Sequence, residues 1–292
     1  GLSASEIEVI LDLAASFKTA PPTDLLKSRT VAFLFTESST RTRSSFEMAA
    51  KRLGCGVLSF SPAGSSLSKG ETLLDTFLNL QAVGATHFVV RHERSGVLDD
   101  LAPLLAASVI NAGDGAHEHP TQALLDLLTL RERWGGFKGK KIVILGDIRH
   151  SRVARSSFFA LKKLGAKVVF CGPTPLCPDA FSELGASVEH NADKALKGAD
   201  AVNVLRLQTE RMEQGFVPSL SDYALSYQLT PARVELMKPE ALVLHPGPIN
   251  RGVEIASEVA DGPRSLILEQ VANGVLVRMA VLSLCEQGRS LA

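Results

Sequence analysis

The chain of 292 residues carries 31 basic and 31 acidic side chains, giving a formal charge of +0, and is 45% hydrophobic and 21% charged. These proportions describe an ordinary globular chain with core enough for two domains, and they supply no global attraction to nucleic acid or to an anionic membrane. No apolar run is read as long enough to span a bilayer, no secretory signal is read, and Gly1 in place of methionine implies that a few residues precede it.

Ser3 and Glu6 form a capping-box pattern that opens a helix with Ile7, Ile10, Leu11 and Ala14 on one face. Strands are expected near 30–35, 56–60, 86–91 and 108–111, alternating with helices near 41–53, 71–83 and 97–107. A further helix is expected from Pro120 to about Trp134. Cys55, Cys171, Cys177 and Cys285 form no CxxC pair and are expected as reduced, buried thiols of a cytoplasmic protein. His117 and His119 lack companions at ligand spacing, so neither a metal nor another cofactor is expected.

The Gly- and Lys-rich run Gly135–Lys141 reads as a boundary between domains at 1–134 and 135–292. A second series follows: strand 142–146, helix 151–164, strand 167–171, helix 178–185, strand 201–205 and the strand-like Leu242–Leu244. Between 206 and about 231 no periodicity survives, which points to a functional loop, with a short helix possible over Tyr223–Tyr227. A closing helix near 263–286 is apolar around much of its circumference and is expected to be buried, returning to the first domain. The fold class is therefore α/β, with two doubly wound parallel-sheet domains joined by helices.

Chemistry concentrates where strands turn into helices. Ser39-Thr40-Arg41-Thr42-Arg43 lies between an apolar strand and a helix, where unpaired N–H groups and the positive helix end favour an anion. Arg41 adds a planar fork suited to phosphate. The alternative is an N-capped surface helix with solvated arginines. Lys69 stands in a polar loop before the next helix, Arg91 at a strand's carboxyl end, and His119-Pro120-Thr121-Gln122 before another helix. A fixed imidazole at that place could polarise a carbonyl oxygen. In the second half, Arg152 follows the turn Gly146–Ser151, Arg206 and Gln208 follow a strand, and His245-Pro246-Gly247-Pro248 forms a stiff turn. Two arginines at the carboxyl ends of separate strands suit a substrate with two carboxylates. Outside the Ser39–Arg43 motif, each of these residues taken alone has a plainer reading: a solvated lysine at 69, surface charges at Arg91, Arg152 and Arg206, a cap at His119 and a turn at His245–Pro248.

Together and in this order, Ser39–Arg43, Lys69-Gly70-Glu71-Thr72, Arg91-His92, His119–Gln122, Arg152, Arg206-Leu207-Gln208 and His245–Pro248 resemble the aspartate carbamoyltransferase family across nearly the whole chain. The first motif is shared with ornithine carbamoyltransferases, the alternative reading. The resemblance implies carbamoyl transfer to L-aspartate in pyrimidine biosynthesis. It implies that Ser39, Thr40, Arg41, Thr42, Arg91, His119, Gln122, Gly247 and Pro248 hold carbamoyl phosphate. Lys69, Arg152, Arg206 and Gln208 would hold aspartate, and Arg41, Thr42, Arg91 and His119 would serve catalysis. It further implies a homotrimer in which Ser66, chosen over Ser65, and Lys69 reach a neighbouring subunit's site. Larger assemblies with regulatory chains or dihydroorotase stay open.

Overall fold

Ser3 Oγ accepts the N–H of Glu6 while the Glu6 carboxylate accepts the N–H of Ser3. This reciprocal cap starts helix α1 (Ala4–Thr19), which buries Ile7, Ile10, Leu11, Ala14 and Phe17 on one face. The computed structural model describes residues 1–60, 70–208 and 219–290. After α1 come β1 (Thr30–Phe35), α2 (Thr40–Arg52), β2 (Gly56–Phe60), α3 (Leu73–Val83), β3 (His87–His92), α4 (Val97–Leu101), β4 (Ser108–Asp114) and α5 (Pro120–Trp134). Helix α4 is shorter than the expected 97–107, because Ala102–Leu104 tightens into a 3₁₀ turn at Pro103. Proline has no N–H to continue the α-helical ladder.

The first four strands pair in parallel in the order β2-β1-β3-β4. Val31 to Phe35 are all buried, as the unbroken apolar run of a central parallel strand requires.

The second series runs β5 (Lys141–Leu145), α6 (Arg152–Lys163), β6 (Lys167–Cys171), β7 (Ser187–Glu189), α7 (Ala192–Leu196), β8 (Ala201–Val204), α8 (Leu220–Tyr227), α9 (Pro231–Val234), β9 (Leu242–Leu244), α10 (Ser257–Ala260) and α11 (Ile267–Ser290). Its strands are parallel in the order β7-β6-β5-β8-β9. The helix expected over 178–185 is a 3₁₀ segment, Asp179–Leu184, stopped by Gly185 at φ +88°. Helix α8 shows why the stretch after 206 carried no clear period. Ser219 caps it, but only Tyr223 is buried while Leu220 and Leu225 face solvent.

Within α11, Ile267–Glu286 is long and apolar enough to cross a bilayer by length and composition, contrary to the expectation that no such run exists. More than half of it is buried inside the protein, and Asn273, Arg278 and Ser283 are among the buried side chains. The apolarity therefore belongs to a core helix.

The chain divides into two compact units, residues 1–128 with 271–292 and residues 129–270. In the first, sequential strands build outward from β1 to β2 and then reverse to β3; in the second they build from β5 to β7 and reverse to β8. Open α/β sheets bind ligands outside the carboxyl ends of the strands at such a reversal. The two places to inspect are thus β1 with β3, and β5 with β8.

Candidate active site

In the first unit, the N–H and Oγ1 of Thr36 both donate to the carbonyl oxygen of Arg91, which ties the end of β1 to that of β3. Helix α2 begins four residues later. Its N-cap Ser39 is extended and its side chain makes no capping bond, so the first-turn N–H groups are not consumed by it. No acidic residue lies in that turn, whereas Arg41 and Arg43 do. Cations at the positive end of a helix are unfavourable in isolation; an anion there reverses the balance. Arg41 and Thr40 are exposed, and Ser39 is partly so.

Thr42, next along α2, is buried, and its Oγ1 lies 3.4 Å from His119 Nε2. His119 is 5% exposed at the start of α5. Gln122 follows in the first turn of α5, and its Nε2 donates to Asp126 Oδ1 at 2.8 Å. Arg91 donates from Nε to Glu37 Oε2 at 3.1 Å, so a carboxylate from the Ser39 loop steadies the guanidinium at the sheet edge. One end of the sheet thus gathers hydroxyls, an imidazole, an amide and guanidinium groups around a helix start. Such a set holds an oxyanion and polarises a carbonyl.

The turn delivering His119 is organised by Asp114, which is 1% exposed. Its Oδ2 accepts the Gly96 N–H at 2.7 Å and His117 Nδ1–H at 3.0 Å, and its Oδ1 accepts Asn111 Nδ2 at 2.9 Å and the Glu118 N–H at 3.1 Å. Burial pushes this carboxyl upward, but donors from Asn111, Gly96 and His117 outweigh it, so it titrates below the ordinary carboxylate range. Asp114→Ala should therefore destabilise the protein by about 3 kcal/mol, since buried donors lose their acceptor. A group with a depressed folded value adds stability that is full above about pH 4 and lost as pH falls through that lower value. Urea titrations of wild type and variant from pH 7 to pH 3 should show the difference shrinking only at the acidic end. A constant difference across that range would contradict the role.

In the second unit, Leu205 N–H donates to the Leu145 carbonyl, so the ends of β5 and β8 lie side by side. The turn after β5 needs glycine. Gly146 has φ +130°, and a Cβ there would lie 2.7 Å from the Leu205 carbonyl oxygen and 3.2 Å from the Tyr223 hydroxyl. Tyr223 is buried, and burial, with Glu254 and Asp147 nearby, raises its phenol well above the ordinary value.

Asp147, with no exposed surface, accepts the His150 N–H and Nδ1–H on Oδ1 and the Gln208 N–H on Oδ2 at 3.4 Å. It thus bridges the turn before Arg152 and the segment holding Arg206 and Gln208. Arg152 begins α6 and is 4% exposed, while Arg206 and Gln208 are partly exposed.

After β9, His245 Nδ1 accepts the Gly247 N–H at 2.8 Å, so Nε2 carries the proton and donates to Glu254 Oε1 at 3.1 Å. Glu254 Oε1 also accepts the Asn250 N–H at 2.6 Å. This fixes the turn bearing Gly247 and Pro248.

Of the residues singled out from the sequence, Ser39 to Thr42 and Arg91 stand at the first sheet's reversal, His119 meets Thr42 from the start of α5, and Gln122 follows in the first turn of that helix. Arg152, Arg206 and Gln208 sit at the second, and Gly247 and Pro248 lie in the turn after β9. Ser65, Ser66 and Lys69 lie outside the described residues. Sequence reading assigned no role to Glu37, Asp114, Asp126, Asp147 or Glu254. Among these, Asp126 carries a readable signal: it lies four residues from Gln122 on one helix face.

Comparison with known proteins also divides the chain in two, with the final helix counted in the second part. Residues 1–132 match the family model for the aspartate/ornithine carbamoyltransferase carbamoyl-P binding domain, and residues 138–285 match that for the Asp/Orn binding domain. The chain is 55% identical over 287 residues to the aspartate carbamoyltransferase catalytic subunit of Myxococcus xanthus, covering 98% of this chain and 97% of the relative. Among solved structures, aspartate transcarbamoylase from Trypanosoma cruzi in complex with carbamoyl aspartate and phosphate has a TM-score of 0.87 at 31% identity, covering 97% of this chain and 92% of that one. Ornithine carbamoyltransferase from Pyrococcus furiosus has a TM-score of 0.86 at 33% identity, covering 97% and 93%.

Proposed function

The chain belongs to the aspartate/ornithine carbamoyltransferase family, and we infer from its likeness to aspartate enzymes that L-aspartate is its acceptor. It is a transferase: the α-amine of L-aspartate attacks the carbonyl carbon of carbamoyl phosphate, a C–N bond forms, the C–O bond to phosphate breaks, and the amine loses a proton. The products are N-carbamoyl-L-aspartate and phosphate, the second step of de novo pyrimidine synthesis. The observation that carries this reading is the 55% identity to an aspartate catalytic subunit over 98% of the chain. Fold alone does not separate the two acceptors, because the ornithine enzyme of Pyrococcus furiosus superposes almost as well.

The substrate supplies its own nucleophile, so the protein's work is alignment of two anions and stabilisation of developing charge. In this reading Ser39, Thr40, Arg41 and Thr42 take the phosphate, with the α2 N–H groups behind them. His119, Thr42 and Arg91 donate to the carbamoyl oxygen, Gln122 and the backbone at Gly247 and Pro248 take the carbamoyl amine, and Arg152, Arg206, Gln208 and Lys69 take the aspartate carboxylates. The support is positional for the described residues: Ser39 to Thr42 and Arg91 stand at the reversal of the first sheet, His119 and Gln122 at the start of α5, Arg152, Arg206 and Gln208 at the reversal of the second sheet, and Gly247 and Pro248 after β9, whereas Lys69 is assigned by family resemblance alone.

The family resemblance also favours a cytoplasmic homotrimer, with Ser66 and Lys69 serving a neighbouring copy's site. Membership of larger assemblies with regulatory chains or dihydroorotase is compatible with this.

Ornithine is the competing acceptor. Its side chain carries an ammonium, which the cationic Arg206 would repel and the two carboxylates of aspartate would not. The turn also reads His245-Pro246-Gly247-Pro248, not the His-Cys-Leu-Pro typical of ornithine enzymes. Assays with carbamoyl phosphate and either amino acid should give turnover with aspartate and none with ornithine. Preferential turnover of ornithine would overturn the assignment.

A further inference from the structure

We propose that Asp126 is a positioning residue that fixes which end of the Gln122 amide meets the substrate, and that it thereby selects a carbamoyl phosphate over an acyl phosphate bearing a methyl group in place of the amine. The inference rests on the reading of Gln122 as a ligand of the carbamoyl group.

Gln122 and Asp126 lie one turn apart on α5 and are 8% and 4% exposed. A glutamine amide can present either a donor or an acceptor, and the two ends differ little in shape. Its neighbour removes the choice. The Asp126 carboxylate only accepts, so it takes Nε2, at 2.8 Å from Oδ1. Oε1, an acceptor only, is then the end left for a ligand. The carbamoyl amine satisfies it with an N–H. A methyl group in that place would leave a buried acceptor without a donor, which is the stronger route to discrimination between near-isosteres.

A second group supports the arrangement. Arg278 of α11 is 3% exposed, and its guanidinium lies 4.9 Å over the ring of Phe46, a fully buried residue of α2. Burial draws this guanidinium down to about 9, and Asp126 is the opposite charge that resists the change. Gly274 makes room for it: a Cβ at 274 would lie 2.6 Å from Arg278 Nη1 and 3.1 Å from Leu125 Cδ2. Arg278 thus gives Asp126 a countercharge within the core, on the helix pair carrying the phosphate motif and Gln122.

The test compares KM for carbamoyl phosphate with the inhibition constant of acetyl phosphate against it, in wild type, Asp126→Asn, Gln122→Ala and the double variant. Asparagine keeps the shape of residue 126 but can donate to Oε1 and turn the amide round. The expected result is a rise in KM of about 10-fold or more for Asp126→Asn, an acetyl phosphate constant within about 2-fold of wild type, and no further change when Asp126→Asn is added to Gln122→Ala. A selectivity ratio in Asp126→Asn equal to wild type, with Gln122→Ala impaired, would overturn the inference alone. An equal loss from Asp126→Asn in both backgrounds would also overturn it, because that marks general damage to the fold. An unchanged ratio in Gln122→Ala would remove the ligand reading itself, and the inference with it. If Asp126→Asn fails to fold because Arg278 is left uncompensated, Asp126→Asn with Arg278→Met removes the stranded charge, and the same collapse of the ratio is expected.

Discussion

Arg41→Ala should lower kcat/KM by about 10²–10³-fold while the melting temperature stays level or rises. The two halves of that expectation share one cause. Arg41 lies in the first turn of α2, at the positive end of the helix dipole, where a cation is unfavourable unless an anion is bound. Alanine is also a better helix former there, and residue 41 is exposed, so truncation leaves no core cavity. An arginine of purely structural value would show the reverse pattern, with stability lost and turnover kept. Steady-state kinetics and calorimetry on the same preparation separate the two. Turnover within about threefold of wild type would contradict the phosphate role.

His119→Ala is the second large effect, and its signature differs. The imidazole is held between Thr42 Oγ1 and the turn shaped by Asp114, and in the proposed reading it donates to the carbamoyl oxygen as charge develops during attack. An interaction made mainly in the transition state lowers kcat and kcat/KM together and leaves KM for carbamoyl phosphate nearly unchanged. The expected loss in kcat is about 10²–10³-fold. Because residue 119 is buried, some stability is lost as well, on the order of 1–2 kcal/mol. A variant that melts earlier but keeps kcat would reduce His119 to a cap on α5.

The parts of this site that sequence made legible are those whose chemistry is local. Ser39 to Arg43 fall within one turn of a helix that follows an apolar strand, so donors and helix end necessarily share a location. His119 and Gln122 announce themselves in the same manner, three residues apart at another helix start. What stayed hidden is the acidic layer behind them. Asp114, Asp147 and Glu254 are each 1% exposed or less, yet nothing in the sequence marks a carboxylate as buried. Their partners Gly96, Gln208 and His245 are distant from them along the chain and meet them only after folding. Arg278 did carry a signal, as the single charge between Glu269 and Glu286 in an otherwise apolar helix.

The fold shows a similar split. Long elements such as α1, β1 and α5 followed from period and capping, because burial of one face or of both dictates the pattern. The short ones did not. In α8 only a single residue is buried, and at 97–104 a proline converts the second half of an expected helix into a 3₁₀ turn. Strand order was equally absent from the sequence. It emerges from pairing, and it is what places Arg91 beside the Ser39 loop in one sheet and the Arg206 segment beside the Arg152 turn in the other.

Transfer requires the amine of one anion to reach the carbonyl carbon of another, so a single molecule joining a phosphonate to an aspartate dicarboxylate should engage both groups of residues at once. Calorimetric titration of such a bisubstrate analogue into wild type, Arg41→Ala and Arg206→Ala should give tight binding to the first and losses of about 10²-fold or more in each variant. Undiminished binding in either variant would contradict it.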